Sequence, residues 1–115
     1  MARASQTTQR ITRDGLEPVL TAPTADGDVV DCGAVALYVV NSGGAPVTVT
    51  VAATVEQDGL DLEDLEVTVP AGATKIIGPL PARTFGQPAS AGADHGRAYV
   101  DYSTVADVTR AVISF

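Results

Sequence analysis

The sequence predicts an all-β fold, a sandwich or barrel of seven or eight short strands, and the reading taken below is one antiparallel β-sandwich of about seven or eight strands preceded by an extended N-terminal arm. Three observations predict it. Short apolar or alternating runs recur at a spacing of roughly 8–12 residues, with turn signals between them. No stretch of about ten residues or more carries helical periodicity. The composition is rich in Val, Ile, Leu, Ala and Thr, with 4% aromatic residues and no Trp, a mixture that favours strands. A chain of 115 residues suits one domain. The reading divides it into an arm, residues 1–14, and a β-sandwich domain, residues 15–115.

Residues 1–10 are small and polar and read as an arm that orders on binding. Asp14-Gly15 marks a turn, and residues 16–21 form a candidate strand that Pro18 restricts to a sheet edge. TADGDVVDCG reads as a turn and a short strand. AVALYVVN, residues 34–41, is nearly all apolar and is expected to be covered on both faces. SGGAP then turns the chain. VTVTVAATV, residues 47–55, alternates, with Val47, Val49 and Val51 on one face and Thr48 and Thr50 on the other. EQDGLDLEDLE reads as an acidic loop with a possible helical turn. LEVTVP directs Leu65, Val67 and Val69 inward. Ala71-Gly72 turns the chain, because Gly tolerates positive φ, and TKIIGP resumes it. Gly78-Pro79 and Pro81 end that strand without extendable N–H groups. Residues 81–96 form the longest irregular region. RAYVDYS and DVTRAVISF, joined by STVA, read as a terminal hairpin.

The net charge of −7, from 14 acids and 7 bases, argues against nucleic-acid binding and against adhesion to an anionic membrane. The charge is uneven. Arg3, Arg10 and Arg13 precede the first acid, Asp14, so a basic arm leads an acidic body. Such an arm suits docking on an acidic partner, or simply stays solvated. The single cysteine, Cys32, permits no intrachain disulfide and reads as a buried, inert thiol. The N-terminus has no apolar region of a secretory signal, and no apolar run approaches the ~20 residues of a membrane helix. Synthesis in a cytoplasm is the expectation.

Reactive constellations are sparse. His95 is the single histidine, with Ser90, Ser103, Asp94 and Asp101 near it in sequence. No nucleophile-elbow pattern accompanies them, so His95 reads as a solvated loop residue. One Cys and one His do not assemble a structural zinc site. Asp26, Asp28 and Asp31 resemble part of a calcium loop without its Gly and bidentate Glu, and read as solvated acids in a turn. Glu56, Asp58, Asp61, Glu63, Asp64 and Glu66 form an acidic run with no base, read as a solvating loop. No phosphate-cradling glycine loop is present. The expectation is therefore no enzyme, no cofactor and no metal.

Four stretches taken together carry a resemblance: ITRDGLEPVLTAPTADGDVV, VTVTV, VTVPAGATKIIGPLPARTF and GRAYVDYSTVADVTRAVISF. They resemble the small head decoration (cement) proteins of tailed bacteriophages over residues 11–115. IIGPLPARTF followed by YVDYS and VTRAVISF is the most telling part, and the loop 87–96 departs from the pattern by its length and Ala/Gly content. The V-P-A-G-x-T piece also occurs in many immunoglobulin-like β-sandwiches, so the resemblance implies an immunoglobulin-like sandwich. It implies a capsid decoration protein on the outer surface of the virion, bound to the lattice of the major capsid protein and stabilising the phage head. It further implies contacts with neighbouring copies of itself, with a homotrimer preferred, and no catalytic residues. Arg3, Arg10 and Arg13 are the candidate capsid contacts. Two alternatives stand beside this reading. One is another virion structural component, of neck or tail. The other is a carbohydrate-binding or adhesive module, for which the aromatics available are Tyr38, Phe85, Tyr99, Tyr102 and Phe115.

Overall fold

The computed structural model describes residues 3–54, 56–57, 60–61 and 64–114. Its strands are β1 (Ala4–Ser5), β2 (Gln9–Arg10), β3 (Asp28–Asp31), β4 (Val35–Asn41), β5 (Val47–Val51), β6 (Glu56–Gln57), β7 (Leu60–Asp61), β8 (Leu65–Val69), β9 (Thr74–Ile77), β10 (Arg97–Tyr102) and β11 (Val108–Ser114). A five-stranded sheet runs β1-β3-β10-β5-β8, and a four-stranded sheet runs β2-β11-β4-β9. β6 and β7 pair only with each other. The two larger sheets enclose the core, which gives the β-sandwich architecture that the spacing of the apolar runs predicts. Seven of the nine strands in these sheets are longer than two residues.

Alternation decides which side chains meet between the sheets. Leu37 and Val39 of β4 face Val49 and Val51 of β5, Val69 of β8, Val100 of β10 and Val112 of β11 in one buried cluster. Because successive side chains on a strand point to opposite faces, the same strands direct Thr48, Thr50 and Thr68 outward. Leu65, Val67 and Val69 share a face as expected, although only Val69 is fully buried. β4 differs from the expectation of two covered faces. It alternates buried and half-buried residues, since among the described residues no further strand layer lies over Ala36, Tyr38 and Val40.

The expected terminal hairpin is not formed. β10 belongs to the five-stranded sheet and β11 to the four-stranded one, so the connection crosses the end of the sandwich. Its two ends are pinned to different sheets. The Ser103 N–H donates to the Thr48 carbonyl, and the Ser42 N–H donates to the Asp107 carbonyl, both at 2.9 Å. At φ 60, Asp107 makes the turn into β11, and residues 103–107 exceed the two-residue loop that a tight hairpin uses. The strand order departs from immunoglobulin constant domains at the same place. Numbering the seven longer strands in order, the second pairs with the fifth and the third with the sixth, as in those domains. The first and fourth strands lie in the sheet of the third and sixth, and the last strand lies in the sheet of the second and fifth, so three strands have changed sheets.

Three further segments differ from the sequence reading. Residues 1–10 were expected to be a free arm, but β1 pairs in parallel with β3, and β2 in parallel with β11. Residues 16–21 form no strand. Pro18 supplies no donor, and only Thr21 reaches the sheet, in a bridge with Arg110. The irregular region holds a single turn of helix, Ala82–Phe85, which buries Phe85, and the 3-10 segment Ala89–Asp94, broken at Gly92. Of the acidic run, Asp58 and Glu63 lie outside the described residues, as do Val55 and Phe115. Glu56–Gln57 and Leu60–Asp61 form a short hairpin in place of a helical turn.

The punctuation around residues 69–79 acts as read. The Ala73 N–H donates to the Pro70 carbonyl at 3.0 Å, with Gly72 at φ 73 as the third residue of the turn. Gly78 allows close approach, since a Cβ there would lie 2.6 Å from the Val35 carbonyl oxygen. Asn41, at an inward position of β4, ties this turn to the one before β5. Its Nδ2 donates to the carbonyls of Ala45 at 2.8 Å and Val69 at 3.1 Å, and its Oδ1 accepts from the Gly43 N–H at 3.0 Å. Replacing Asn41 with Ala strands the buried Val69 carbonyl, at about 1–3 kcal/mol before relaxation, and removes two part-buried bonds at about 0.5–1.5 kcal/mol each. Urea unfolding of Asn41→Ala is expected to show a loss of at least ~2 kcal/mol, with m unchanged.

Candidate binding surface

Charged residues in this protein are first of all clasps. Asp28 on β3 and Arg110 on β11 are 0% and 2% exposed and meet across the space between the sheets. Arg110 Nε donates to Asp28 Oδ2 at 2.6 Å and Nη2 to Oδ1 at 2.8 Å, a bidentate pair. The Tyr102 hydroxyl donates to Oδ2 at 2.5 Å, and Gln6 Nε2 reaches Oδ1 at 3.4 Å. Arg110 Nη1 donates to the Thr21 carbonyl oxygen at 2.9 Å. Among the described residues no buried side-chain nitrogen or oxygen lacks a partner. Burial works against the charge on Arg110, but the hydrogen bonds and field of Asp28 prevail and hold its pKa up. Burial, and then the Asp28 carboxylate, push the Tyr102 hydroxyl far up.

The segment before β3 is held by two more clasps. Arg3 grips Asp101 at 2.8 Å and 3.2 Å and stacks 4.5 Å above the centroid of the Tyr99 ring. This grip crosses Gly27, at φ 85, where a Cβ would lie 2.5 Å from Arg3 Nη1. Arg97 donates to Asp31 Oδ1 at 3.1 Å, to Ser5 Oγ at 2.7 Å and to the Gln6 carbonyl at 3.0 Å. Thr8 Oγ1 donates to Asp31 as well. The arm therefore leaves the five-stranded sheet after Ser5 and joins the four-stranded sheet at Gln9, closing one side of the sandwich.

The chemistry considered from sequence is dispersed. Of the three arm bases, Arg3 is engaged within the molecule, whereas Arg10 and Arg13 are exposed. Asp26, Asp28 and Asp31 do not converge: Asp28 is buried against Arg110, and Asp31 is bound by Arg97. The expectation of solvated acids is thus corrected for Asp28. His95 is exposed, and three of its four candidate partners are used elsewhere. Asp94 accepts from Tyr99, Asp101 from Arg3, and Ser103 Oγ from the Thr48 N–H. Among the described residues no group of three or more His, Cys, Asp or Glu side chains is placed to hold a metal ion. Cys32 is half-buried rather than buried, and burial followed by the field of Asp31 raises its thiol pKa. No helix among the described residues is long and apolar enough to cross a membrane.

One concave part of the surface is apolar. At one end of the four-stranded sheet Ile11, Val35, Ala36, Ile76, Pro79 and Ile113 line a groove of about 380 Å³. Ile76 on edge strand β9 is 61% exposed. Sequence reasoning missed both this groove and the buried pair. The signal for the pair was available: Arg110 occupies the inward parity of VTRAVIS between Val108 and Val112. The groove had no comparable signal, since its lining residues lie far apart in the sequence. Comparison with family models, curated proteins and solved structures gives no match.

Two outcomes are expected here. Asp28→Ala leaves the Arg110 charge buried and unpaired, at a cost of about 3–5 kcal/mol. That is a large share of the roughly 5–15 kcal/mol of a typical domain. The double change Asp28→Leu with Arg110→Met removes both charges and is expected to unfold at higher urea than Asp28→Ala. Tyr102 adds an alkaline slope. In the unfolded chain its hydroxyl ionises near about pH 10, whereas in the fold it stays protonated. The unfolded state therefore loses its proton first, and stability falls as pH rises above about 10. Urea midpoints at about pH 9 and about pH 11 are expected to differ less in Tyr102→Phe than in the native chain.

Proposed function

We propose that the chain is a structural binding module: a decoration protein on the outside of a tailed-phage head, held on the lattice of the major capsid protein. The observation that carries this reading is the use of polar side chains. The buried ion pair and the two arm clasps stiffen the sandwich, and the open surface is an apolar groove with no reactive cluster at it. Stiffness lowers the entropic cost of docking. Many copies on a closed shell then need only modest affinity each. Arg10 and Arg13, the exposed bases of the arm, are the contacts this reading assigns to an acidic patch of the shell. The kinship with immunoglobulin-like modules enters through the second-to-fifth and third-to-sixth strand pairings. A neck or tail component is the second reading, since the same features suit any stiff part of a particle.

Deleting the arm is a poor test, because β1 and β2 are part of the two sheets. Copy number is better. Quantitative mass spectrometry of purified particles is expected to give a ratio to the major coat protein of one, or a simple fraction of it. A handful of copies per particle moves the chain to the neck or tail, and complete absence ends the virion reading. Reversing both bases, Arg10→Glu with Arg13→Glu, is expected to lower occupancy of the particle while leaving the far-ultraviolet circular dichroism unchanged.

A further inference from the structure

Two Asp-Gly pairs lie among the described residues, and the fold surrounds them differently. Asp14-Gly15 sits in a surface loop. Residues 11–15 and 17–20 are exposed, and Leu16 is half-buried. The loop is tied at its feet. The Ile11 N–H donates to the Ser114 carbonyl at 2.7 Å. Gln9 accepts from the Val19 N–H at 2.9 Å and donates to the Val19 carbonyl at 3.0 Å. Between these ties the Gly15 N–H donates to the Thr12 carbonyl at 3.0 Å, a bond within the turn itself. Gly15 has φ 92, and a Cβ built there would meet nothing within 4 Å.

Asp26-Gly27 has the same local turn in opposite surroundings. The Gly27 N–H donates to the Thr24 carbonyl at 3.1 Å, but the Gly27 carbonyl also accepts from the Ala4 N–H of the arm at 3.1 Å. Gly27 is buried and Asp26 half-buried. A Cβ on Gly27 would lie 2.5 Å from Arg3 Nη1, 2.6 Å from Asp101 Oδ1 and 2.6 Å from the Val100 carbonyl oxygen. The next residue, Asp28, is fixed in the ion pair with Arg110. A third pair in the sequence, Asp58-Gly59, lies outside the described residues.

An Asp-Gly pair carries its own chemistry. The backbone nitrogen of the glycine attacks Cγ of the preceding aspartic acid. A C–N bond forms, the Cγ–OH bond breaks, and the hydroxyl leaves as water with the proton of the amide. The product is a cyclic succinimide. Water then opens the ring at one of its two carbonyls. Attack at Cγ returns aspartate. Attack at the original backbone carbonyl gives isoaspartate, in which the chain runs through Cβ and Cγ. Nothing is oxidised or reduced, and the water lost is regained. Glycine favours the step because no Cβ crowds the attacking nitrogen. The rate depends on how readily the backbone brings nitrogen and carbon to within about 3–3.5 Å.

We propose that Asp14-Gly15 is a site of isoaspartate formation in the folded protein, and that the packing around Gly27 withholds Asp26 from the same reaction. Rotation about Asp14 and Gly15 moves an exposed loop through solvent. Rotation about Asp26 and Gly27 displaces the Arg3 clasp and the first residue of β3. The product at residue 14 has one more methylene in its backbone, beside Arg13, and leaves both sheets as they are. The inference stands apart from the capsid reading, because it concerns the isolated protein.

The test incubates the purified full chain in warm neutral buffer, folded and in urea. Peptide mapping with electron-transfer fragmentation then measures isoaspartate at residues 14 and 26. In urea the two are expected to accumulate it at similar rates. In the folded chain residue 14 is expected to exceed residue 26 by about tenfold or more, a ratio that about 1.4 kcal/mol of barrier difference produces. Asp14→Glu is expected to lose the product at residue 14, since glutamate must close a larger ring. Equal accumulation at the two residues in the folded chain overturns the proposal. So does a folded chain without product at residue 14 when urea yields it at both. An excess at residue 14 that persists unchanged in urea also overturns it, because the fold then plays no part.

Discussion

The ion pair between Asp28 and Arg110 is the constraint around which the rest of the structure is arranged. Each partner lies in a different sheet, and both are out of water. Desolvating two such charges is costly, and their attraction offsets that cost only when every lone pair and donor is matched. Here the match draws in Tyr102 from β10, Thr21 from the segment beside β11, and Gln6 from the arm. A one-residue slip of β3 or β11 would turn Asp28 or Arg110 to the opposite face. An apolar pair at the same two positions would tolerate small offsets. The ionic pair, with its fork geometry, fixes one register for both sheets at once.

This explains which parts of the fold were legible in the sequence. Alternation in VTVTV and LEVTV reads directly as one buried and one wet face, because each residue's role there depends only on its own parity. The turn at Pro70 to Ala73 is equally local. The partner sheet of β11 is not local. DVTRAVISF after RAYVDYS satisfies a hairpin pattern, yet the pairing is decided by what Arg110 must meet and by the pinning of Ser103 and Asp107 to different sheets. The arm was misread for a related reason. ASQTTQR has no apolar signature, since its attachment is made by backbone pairing and by Arg3, Gln6 and Thr8. The candidate surface was harder still. The groove draws on residues 11, 35–36, 76–79 and 113, and no window of the sequence contains more than a part of it.

The two outer faces of the sandwich differ. β5, β8 and β10 carry Thr48, Thr50, Glu66, Thr68 and Asp101 on the outside of the five-stranded sheet, with Arg97 and Tyr99 occupied by the clasps. The four-stranded sheet presents Ala36, Tyr38, Val40, Ile76 and Ile113 outside, together with Thr74 and Thr109. A surface of this second kind is uncommon on a protein that acts alone, because contiguous apolar area favours association. The apolar groove lies on this second face.

The arm has a consequence for the order in which the molecule is made. β1 closes against β3 and β10's Asp101, while β2 closes only against Ile113 and Ser114. Residues 9 and 10 therefore wait for more than a hundred residues of synthesis before their partner strand exists. β3 waits similarly for β10, and β4 for β11. Contacts this distant in sequence close slowly, because loop entropy must be overcome before they form. Neither sheet can be assembled from the first half of the chain alone. The five-stranded sheet has all its strands once β10 is made, whereas the four-stranded sheet waits for β11.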